Sequence, residues 1–222
     1  MIYWMLKTMN YININEAEYI NDDMPIPQRL TKIGITNQQQ LKKIIQIIYT
    51  DYLTNAYNRL YYNDIVNRKN IVKNKKTFFA ILDIDYFKKV NDTYGHITGD
   101  IILKIFVEKL KKITELQVIR YGGEEFMLIY SNPSMLFEKI ETARNEISKL
   151  TFIFNNQKFN INFSAGIGKT PQEADLQLYK AKNSGRAKTK ISEEIEKEIF
   201  EKKINLEPYE YDLFDSELSI SR

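Results

Sequence analysis

Two segments end in neighbouring carboxylates. Residues 77–85 read Thr-Phe-Phe-Ala-Ile-Leu-Asp-Ile-Asp, an apolar run that fits a strand buried on both faces and finishes in Asp83 and Asp85. Residues 117–130 read Gln-Val-Ile-Arg-Tyr-Gly-Gly-Glu-Glu-Phe-Met-Leu-Ile-Tyr, two short β-type runs joined by Gly122 and Gly123 and followed at once by Glu124 and Glu125. Alone, the second segment reads as an ordinary hairpin whose glutamates face water. A carboxylate at the end of a buried strand, however, is costly unless it is paired or bound to a metal. If the two segments lie side by side, Asp83 and Glu124 converge on a hard-oxygen site of the kind Mg2+ prefers, with the ion shared by substrate phosphates. The two glycines are expected to take positive φ and leave the backbone bare, so that a bulky charged ligand can approach the turn.

Composition narrows the chemistry further. The 222 residues, 43% of them hydrophobic, suffice for one well-buried domain plus extensions. The chain has no cysteine and one histidine, which excludes a disulfide framework, thiolate zinc sites and a cysteine nucleophile, and leaves little for Ser-His-Asp machinery. Catalysis would therefore rest on carboxylates and metal. The net charge of +3, from 32 basic and 29 acidic residues, gives no basic stripe for a nucleic-acid partner but is compatible with local phosphate sites. The apolar run Trp4-Met5-Leu6 is far too short to span a membrane and no signal-peptide pattern follows it, so a cytoplasmic protein without a membrane span is expected.

Gly122-Gly123-Glu124-Glu125-Phe126 resembles the signature of the GGDEF family, the diguanylate cyclases, in its Gly-Gly-Glu-Glu-Phe form. Four further blocks resemble the family in the same order. They are Asp51-Tyr-Leu-Thr-Asn-Ala-Tyr-Asn-Arg59; Asp83-Ile-Asp-Tyr-Phe-Lys-Lys-Val-Asn-Asp92 with Gly95-His96 and Gly99-Asp100; Ser164-Ala-Gly166; and Leu178-Tyr-Lys-Ala-Lys-Asn-Ser-Gly-Arg186. The resemblance implies an α+β fold of the palm-like nucleotidyl-cyclase type, with a central, mostly antiparallel five-stranded sheet flanked by helices. It implies a reaction that joins two GTP into cyclic di-GMP, two Mg2+ (or Mn2+) ions per half-site, and a homodimer in the active state. Asp83, Glu124 and the carbonyl of Ile84 are the implied metal ligands, with Glu125 close enough to assist. Asp85 either joins them or caps the helix that begins at Tyr86. Lys88, Lys182 and Arg186, with backbone N–H groups near Phe87, match the family's triphosphate contacts. Asn91 and Asp100 match the groups that read guanine, and an acidic acceptor suits that base because adenine lacks the paired donors.

Three departures are visible. The family's product-inhibition site, an Arg-x-x-Asp, would fall at 113–116, which reads Ile-Thr-Glu-Leu. Asn55 stands where the opening block usually has glycine, a change a turn accepts because asparagine tolerates the left-handed region. The connection 168–173 is shorter than usual, which would trim a peripheral helix and bears on where Lys182 falls. Gly166-Ile-Gly-Lys-Thr170 imitates the end of a P-loop, but the first glycine that motif requires would be Phe163, and Lys169 reads as incidental.

The elements that must position these residues follow from periodicity. Residues 1–36, interrupted by Pro25-Ile-Pro27, form an N-terminal extension of unknown role. Leu41, Ile44, Ile45 and Ile48 share one face of an amphipathic helix over 37–50, capped at Thr36 or Asn37. That stripe either packs on its own domain or pairs two chains as a parallel stalk; under the second reading it holds two half-sites in register. The catalytic domain is expected over 51–190. It would hold a helix over 58–68, a basic segment 69–76, two helices broken near 95–99, a helix over 134–150, a hairpin of 152–154 with 159–163, and a last helix over 173–182. A capped helix from 192 to about 204 and an acidic tail complete 191–222.

Two other functions share these residues. One is a degenerate domain that binds GTP or cyclic di-GMP as a sensor, against which Asp83, Glu124, Lys88 and Asn91 all speak. The other is a related cyclase with a different product, for which Asp100 is the discriminating position. With Ile113-Thr-Glu-Leu116 in place of the inhibition motif, cyclic di-GMP is expected not to inhibit turnover non-competitively. Product-inhibition kinetics that found such an effect, still present after Lys111 and Lys112 are replaced, would mean that another regulatory site exists or that this alignment of the loop is wrong.

Overall fold

The computed structural model describes residues 25–32, 34–67 and 77–204. Most of the N-terminal extension, the basic segment 69–76 and the acidic tail beyond 204 lie outside the described residues. In chain order the helices are α1 (Ile26–Lys32), α2 (Gln38–Tyr49), α3 (Arg59–Tyr61), α4 (Phe87–Tyr94), α5 (His96–Thr114), α6 (Pro133–Ser148), α7 (Pro171–Asn183) and α8 (Glu193–Ile204). The strands are β1 (Phe78–Ile84), β2 (Ile119–Arg120), β3 (Glu125–Tyr130), β4 (Phe152–Phe154), β5 (Gln157–Phe159), β6 (Phe163–Gly168) and β7 (Thr189–Ile191).

The apolar run that ends in Asp83 becomes β1, buried along its whole length and central in a five-stranded sheet of order β2-β3-β1-β6-β7. β3 and β6 flank it antiparallel, β2 continues antiparallel beyond β3, and β7 runs parallel to β6. The fold is thus α+β, as expected, with one parallel edge. Successive side chains of a strand point to opposite faces, so β1 serves two cores. Phe78, Ala80, Leu82 and Ile84 pack with Phe106 and Leu110 of α5 and Leu136 and Ile140 of α6. Phe79 and Ile81 pack on the other face with Met127, Ala174 and Leu178, and it is here that α7 covers the sheet.

α7 lies unusually close to β6 because two glycines let it. A Cβ on Gly166 would stand 2.1 Å from both the Ala174 carbonyl oxygen and the Leu178 nitrogen, and one on Gly168 would stand 2.5 Å from the Ala174 nitrogen. The short connection from β6 is only Lys169 and Thr170. Thr170 accepts from the Glu173 N–H and Pro171 opens the helix, so α7 starts at once. Lys169 makes a surface ion pair with Glu194 at 2.7 Å, while α8 is anchored by Ile195, buried in the core.

Several expectations need correction. The stripe on α2 is covered by the chain's own α1: Ile44 and Ile48 are buried with Ile26, Leu30 and Ile35. Leu41 and Ile45 are half-buried, so the intramolecular reading accounts for the buried part of the stripe. Asn37 caps α2 as expected, accepting from the N–H groups of Gln39 and Gln40. Buried Asp64 binds this layer together, accepting from the Ile26 N–H at 2.7 Å and from the Tyr49 hydroxyl. The helix expected over 58–68 is a single α turn that passes into a π turn, Tyr62–Asn67. The small hairpin turns at Asn155 and Asn156, with φ of 47° and 62°, so β5 ends at Phe159 and leaves β6 to the main sheet. β7 was not foreseen: Thr189–Ile191 carries too short an apolar signal to stand out.

Gly166→Ala is expected to cost about 3 kcal/mol, because the added methyl meets helix backbone rather than a movable side chain. Chemical denaturation of the variant against the parent measures this.

Candidate active site

Antiparallel register places Asp83 directly across from Glu125 on β3, and across from Ser164 on β6. Glu124 precedes Glu125 in the turn, and its carbonyl accepts from the Ile84 N–H at 3.5 Å. The two acidic strand ends therefore meet, as their sequences suggested. Asp83 is only 7% exposed, and α7 delivers the ammonium of Lys182 to within 2.8 Å of its Oδ2. Loss of water pushes the Asp83 carboxyl up to about 6; Lys182 opposes this, and the charges of Glu124 and Glu125 add to it.

The glycine turn is built differently from expectation. Neither Gly122 nor Gly123 adopts positive φ; among described glycines only Gly34, Gly95 and Gly185 do. Gly122 gives clearance instead: a Cβ there would stand 2.8 Å from Oε2 of Glu125, the movable end of that side chain. Gly123 has open space around it, and its carbonyl accepts from Nε and one terminal nitrogen of Arg120 at 3.0 and 2.9 Å. The remaining nitrogen of Arg120 donates to Asp51 at 2.9 Å. Asp51 also accepts from the N–H and hydroxyl of Thr54, closing the turn in which Asn55 takes φ of 57° as anticipated. Burial pushes Asp51 up, but the hydrogen bonds from Thr54 and Arg120 outweigh it and hold the carboxyl below the usual aspartate value. Sequence reasoning missed Asp51 and Arg120 as supports of the acidic turn. The one signal was an arginine placed just before the glycines.

Beyond β1 the chain turns through Tyr86, with φ of 57°, into α4. Asp85 does not cap this helix: Tyr86 occupies the cap position and makes no side-chain cap bond. Phe87 is buried, and its side chain belongs to the core. Lys88 is exposed and paired with Asp92 at 2.7 Å, one turn on, rather than with Asp83 or Glu124. Asn91 rests on Gly99, where a Cβ would stand 1.9 Å from its Oδ1. The carboxamide thus lies beside the residue preceding Asp100, and both belong to the corner between α4 and α5. Arg186, in the loop after α7, lies over the Tyr86 ring at 4.6 Å. The structure brings together Asp83, Glu124, Glu125 and Lys182 at one strand end, with Arg186 alongside; Lys88, Asn91 and Asp100 stand on the neighbouring helices.

Oxygen donors without nitrogen or sulfur fit a hard divalent ion. Among the described residues no three acidic, histidine or cysteine side chains form a cage of their own, and the Lys182 ammonium stands 2.8 Å from Asp83.

The family described as "Diguanylate cyclase, GGDEF domain" matches residues 48–188. The chain belongs to the GGDEF family. Diguanylate cyclase A of Treponema denticola is 30% identical over 183 residues, covering 73% of this chain and 48% of that protein. The response regulator PleD of Caulobacter vibrioides is 31% identical over 170 residues, covering 67% and 37%. The chain thus spans about half the length, or less, of these curated relatives. The crystal structure of the coiled coil and GGDEF domain of DgcB from Caulobacter crescentus, in complex with c-di-GMP, superposes with a TM-score of 0.62 at 27% identity, covering 69% of this chain and 91% of that one. Within this GGDEF domain the signature motif is the turn that Arg120 and Asp51 hold.

Arg120→Ala is expected to lower stability by about 1–3 kcal/mol, since it strips both the Gly123 carbonyl and Asp51 of their donor. Because the Asp51 carboxyl is held low, its contribution is fully present at neutral pH and is lost as the pH falls through its folded pKa. The gap between parent and variant in denaturant melts should therefore narrow below about pH 4.

Proposed function

We propose that this GGDEF domain is a diguanylate cyclase that condenses two GTP into cyclic di-GMP with release of pyrophosphate. The observation that carries the reading is the meeting of the β1 and β3 acidic ends beside Lys182, inside the segment the family matches. Asp83, Glu124 and the carbonyl of Ile84 would hold the divalent ions, Mg2+ or Mn2+, two per half-site, which when bound supply charge neutralisation on the phosphates and activation of the attacking hydroxyl. Glu125 lies beside them. Lys182, Arg186 and Lys88 hold the triphosphate, with backbone N–H groups at the start of α4 contributing. Gly122 and Gly123 keep the approach to the turn free of side chains. Asp100 accepts from the N1–H and exocyclic amine of guanine, and Asn91 hydrogen-bonds the same edge.

The chemistry sets the assembly. Each nucleotide is attacked by the other's hydroxyl, so each chain supplies half a site and two domains face one another across a two-fold axis. Residues 51–190 form the catalytic unit, with α1, α2 and α8 flanking it. The buried part of the α2 stripe is occupied within the chain, so that part is not free to join the two domains.

Incubating the full chain with GTP and Mg2+ and identifying the product by mass tests the reaction. Glu124→Gln should remove turnover while leaving the fold intact, since an amide cannot replace a metal-binding carboxylate. Activity within about tenfold of the parent would sink the assignment, because the lost stabilisation should cost several kcal/mol of barrier.

A further inference from the structure

The end of β1 carries a second buried carboxylate that the reaction above does not use. Asp85 is 7% exposed. One of its oxygens accepts from the Ser164 hydroxyl at 2.7 Å, and the other from the backbone N–H of Ala187 at 2.9 Å. Its own N–H donates to the Asn162 carbonyl at 2.9 Å, so the residue is fixed from β6, from the segment leading into β6 and from the loop.

What Asp85 holds is an unfavourable piece of backbone. Gly185, Arg186 and Ala187 run through φ of 103°, 60° and 48° in succession. Glycine takes such values freely, but two consecutive residues with a Cβ keep them only when the surroundings impose them. On the helix side the loop is anchored by the Arg186 N–H on the Ala181 carbonyl at 3.0 Å. On the sheet side the anchors are Asp85, on the Ala187 N–H, and one residue further the Ala165 N–H, which donates to the Lys188 carbonyl at 3.0 Å. Beyond the loop lies a cavity of about 450 Å3, lined by Tyr86, Lys89, Asn160 and Asn162 among others, so no packed wall on that side resists displacement.

We propose that Asp85 is a positioning residue for the triphosphate site: by binding Ala187 it imposes the left-handed turn that aims the Arg186 guanidinium, and Ser164 holds Asp85 in the orientation this requires. The proposal rests on the reading of Arg186 as a phosphate contact. Without the Asp85 carboxylate, the Ala187 N–H loses its acceptor and the turn relaxes toward the cavity. The cost then appears in the binding of GTP, at a group Asp85 does not touch. A carboxylate kept only for stability would instead lower melting temperature and leave GTP affinity unchanged.

Steady-state kinetics of the full chain with GTP and Mg2+, together with amide exchange of Ala187 by NMR, distinguish these roles. Asp85→Ala should raise KM for GTP about tenfold, the value of one charged phosphate contact, with kcat within about threefold. The Ala187 amide should lose protection while β1 and β6 keep theirs. Arg186→Ala placed on Asp85→Ala should add little further, since both remove the same contact. Asp85→Asn, whose amide can accept from Ala187 and donate to Ser164, should hold KM within about threefold of the parent. Should Asp85→Ala not fold, Ser164→Ala carries the same expectation of raised KM in smaller measure. An unchanged KM, or effects of Asp85→Ala and Arg186→Ala that simply add, would overturn the proposal. If the parent binds GTP yet yields no product, the cyclase reading falls while the same comparison run on GTP affinity still decides Asp85; if the parent does not bind GTP, both fall.

Discussion

A carboxylate removed from water must be given a partner, and Asp83 is placed where the sheet offers none. It closes a strand buried on both faces, with β3 and β6 on either side supplying backbone and, at Glu125, a further negative charge. The partner comes from the layer above, as the Lys182 ammonium at 2.8 Å. That reach depends on how closely α7 presses onto β6, and therefore on Gly166 and Gly168 having no side chains. The short Lys169-Thr170 connection follows from the same requirement, because a helix lying on the strand it has just left needs little chain to arrive there.

The acidic turn of β3 is held by a different principle. Its glycines contribute by what they lack, clearance for the Glu125 carboxylate at Gly122 and a bare carbonyl at Gly123. Rigidity is imported through Arg120, whose planar fork bonds the Gly123 carbonyl and Asp51 at once. Asp51 in turn belongs to the opening block of the domain. The first and third motifs along the chain are thus parts of one hydrogen-bonded unit around the carboxylates.

Strained backbone gathers at the same end of the sheet. Tyr86, Arg186 and Ala187 all occupy the left-handed region, with the Arg186 guanidinium stacked over the Tyr86 ring at 4.6 Å. Such conformations persist only where surrounding contacts over-determine them, and they cluster where direction matters more than stability. The apolar residues of α1 and α2 close on each other around Asp64 and bury Ile44 and Ile48 within the chain.

The α+β pattern, the central strand, the two acidic segments and the α2 stripe were legible in the sequence because each is written in local periodicity or in adjacent residue types. The same local reasoning misjudged the glycine turn, the length of the helix after Asn58 and the end of the small hairpin, where backbone conformation depends on what presses from outside. Tertiary structure alone decided that α1 covers the α2 stripe, that Lys182 meets Asp83, that Arg120 meets Asp51 across 69 positions and that Asp85 meets Ala187 across 102. A hydrogen bond or ion pair between distant residues leaves no period behind it. Each partner alone reads as an ordinary polar residue, and only the sheet that brings both to one strand end turns them into a site.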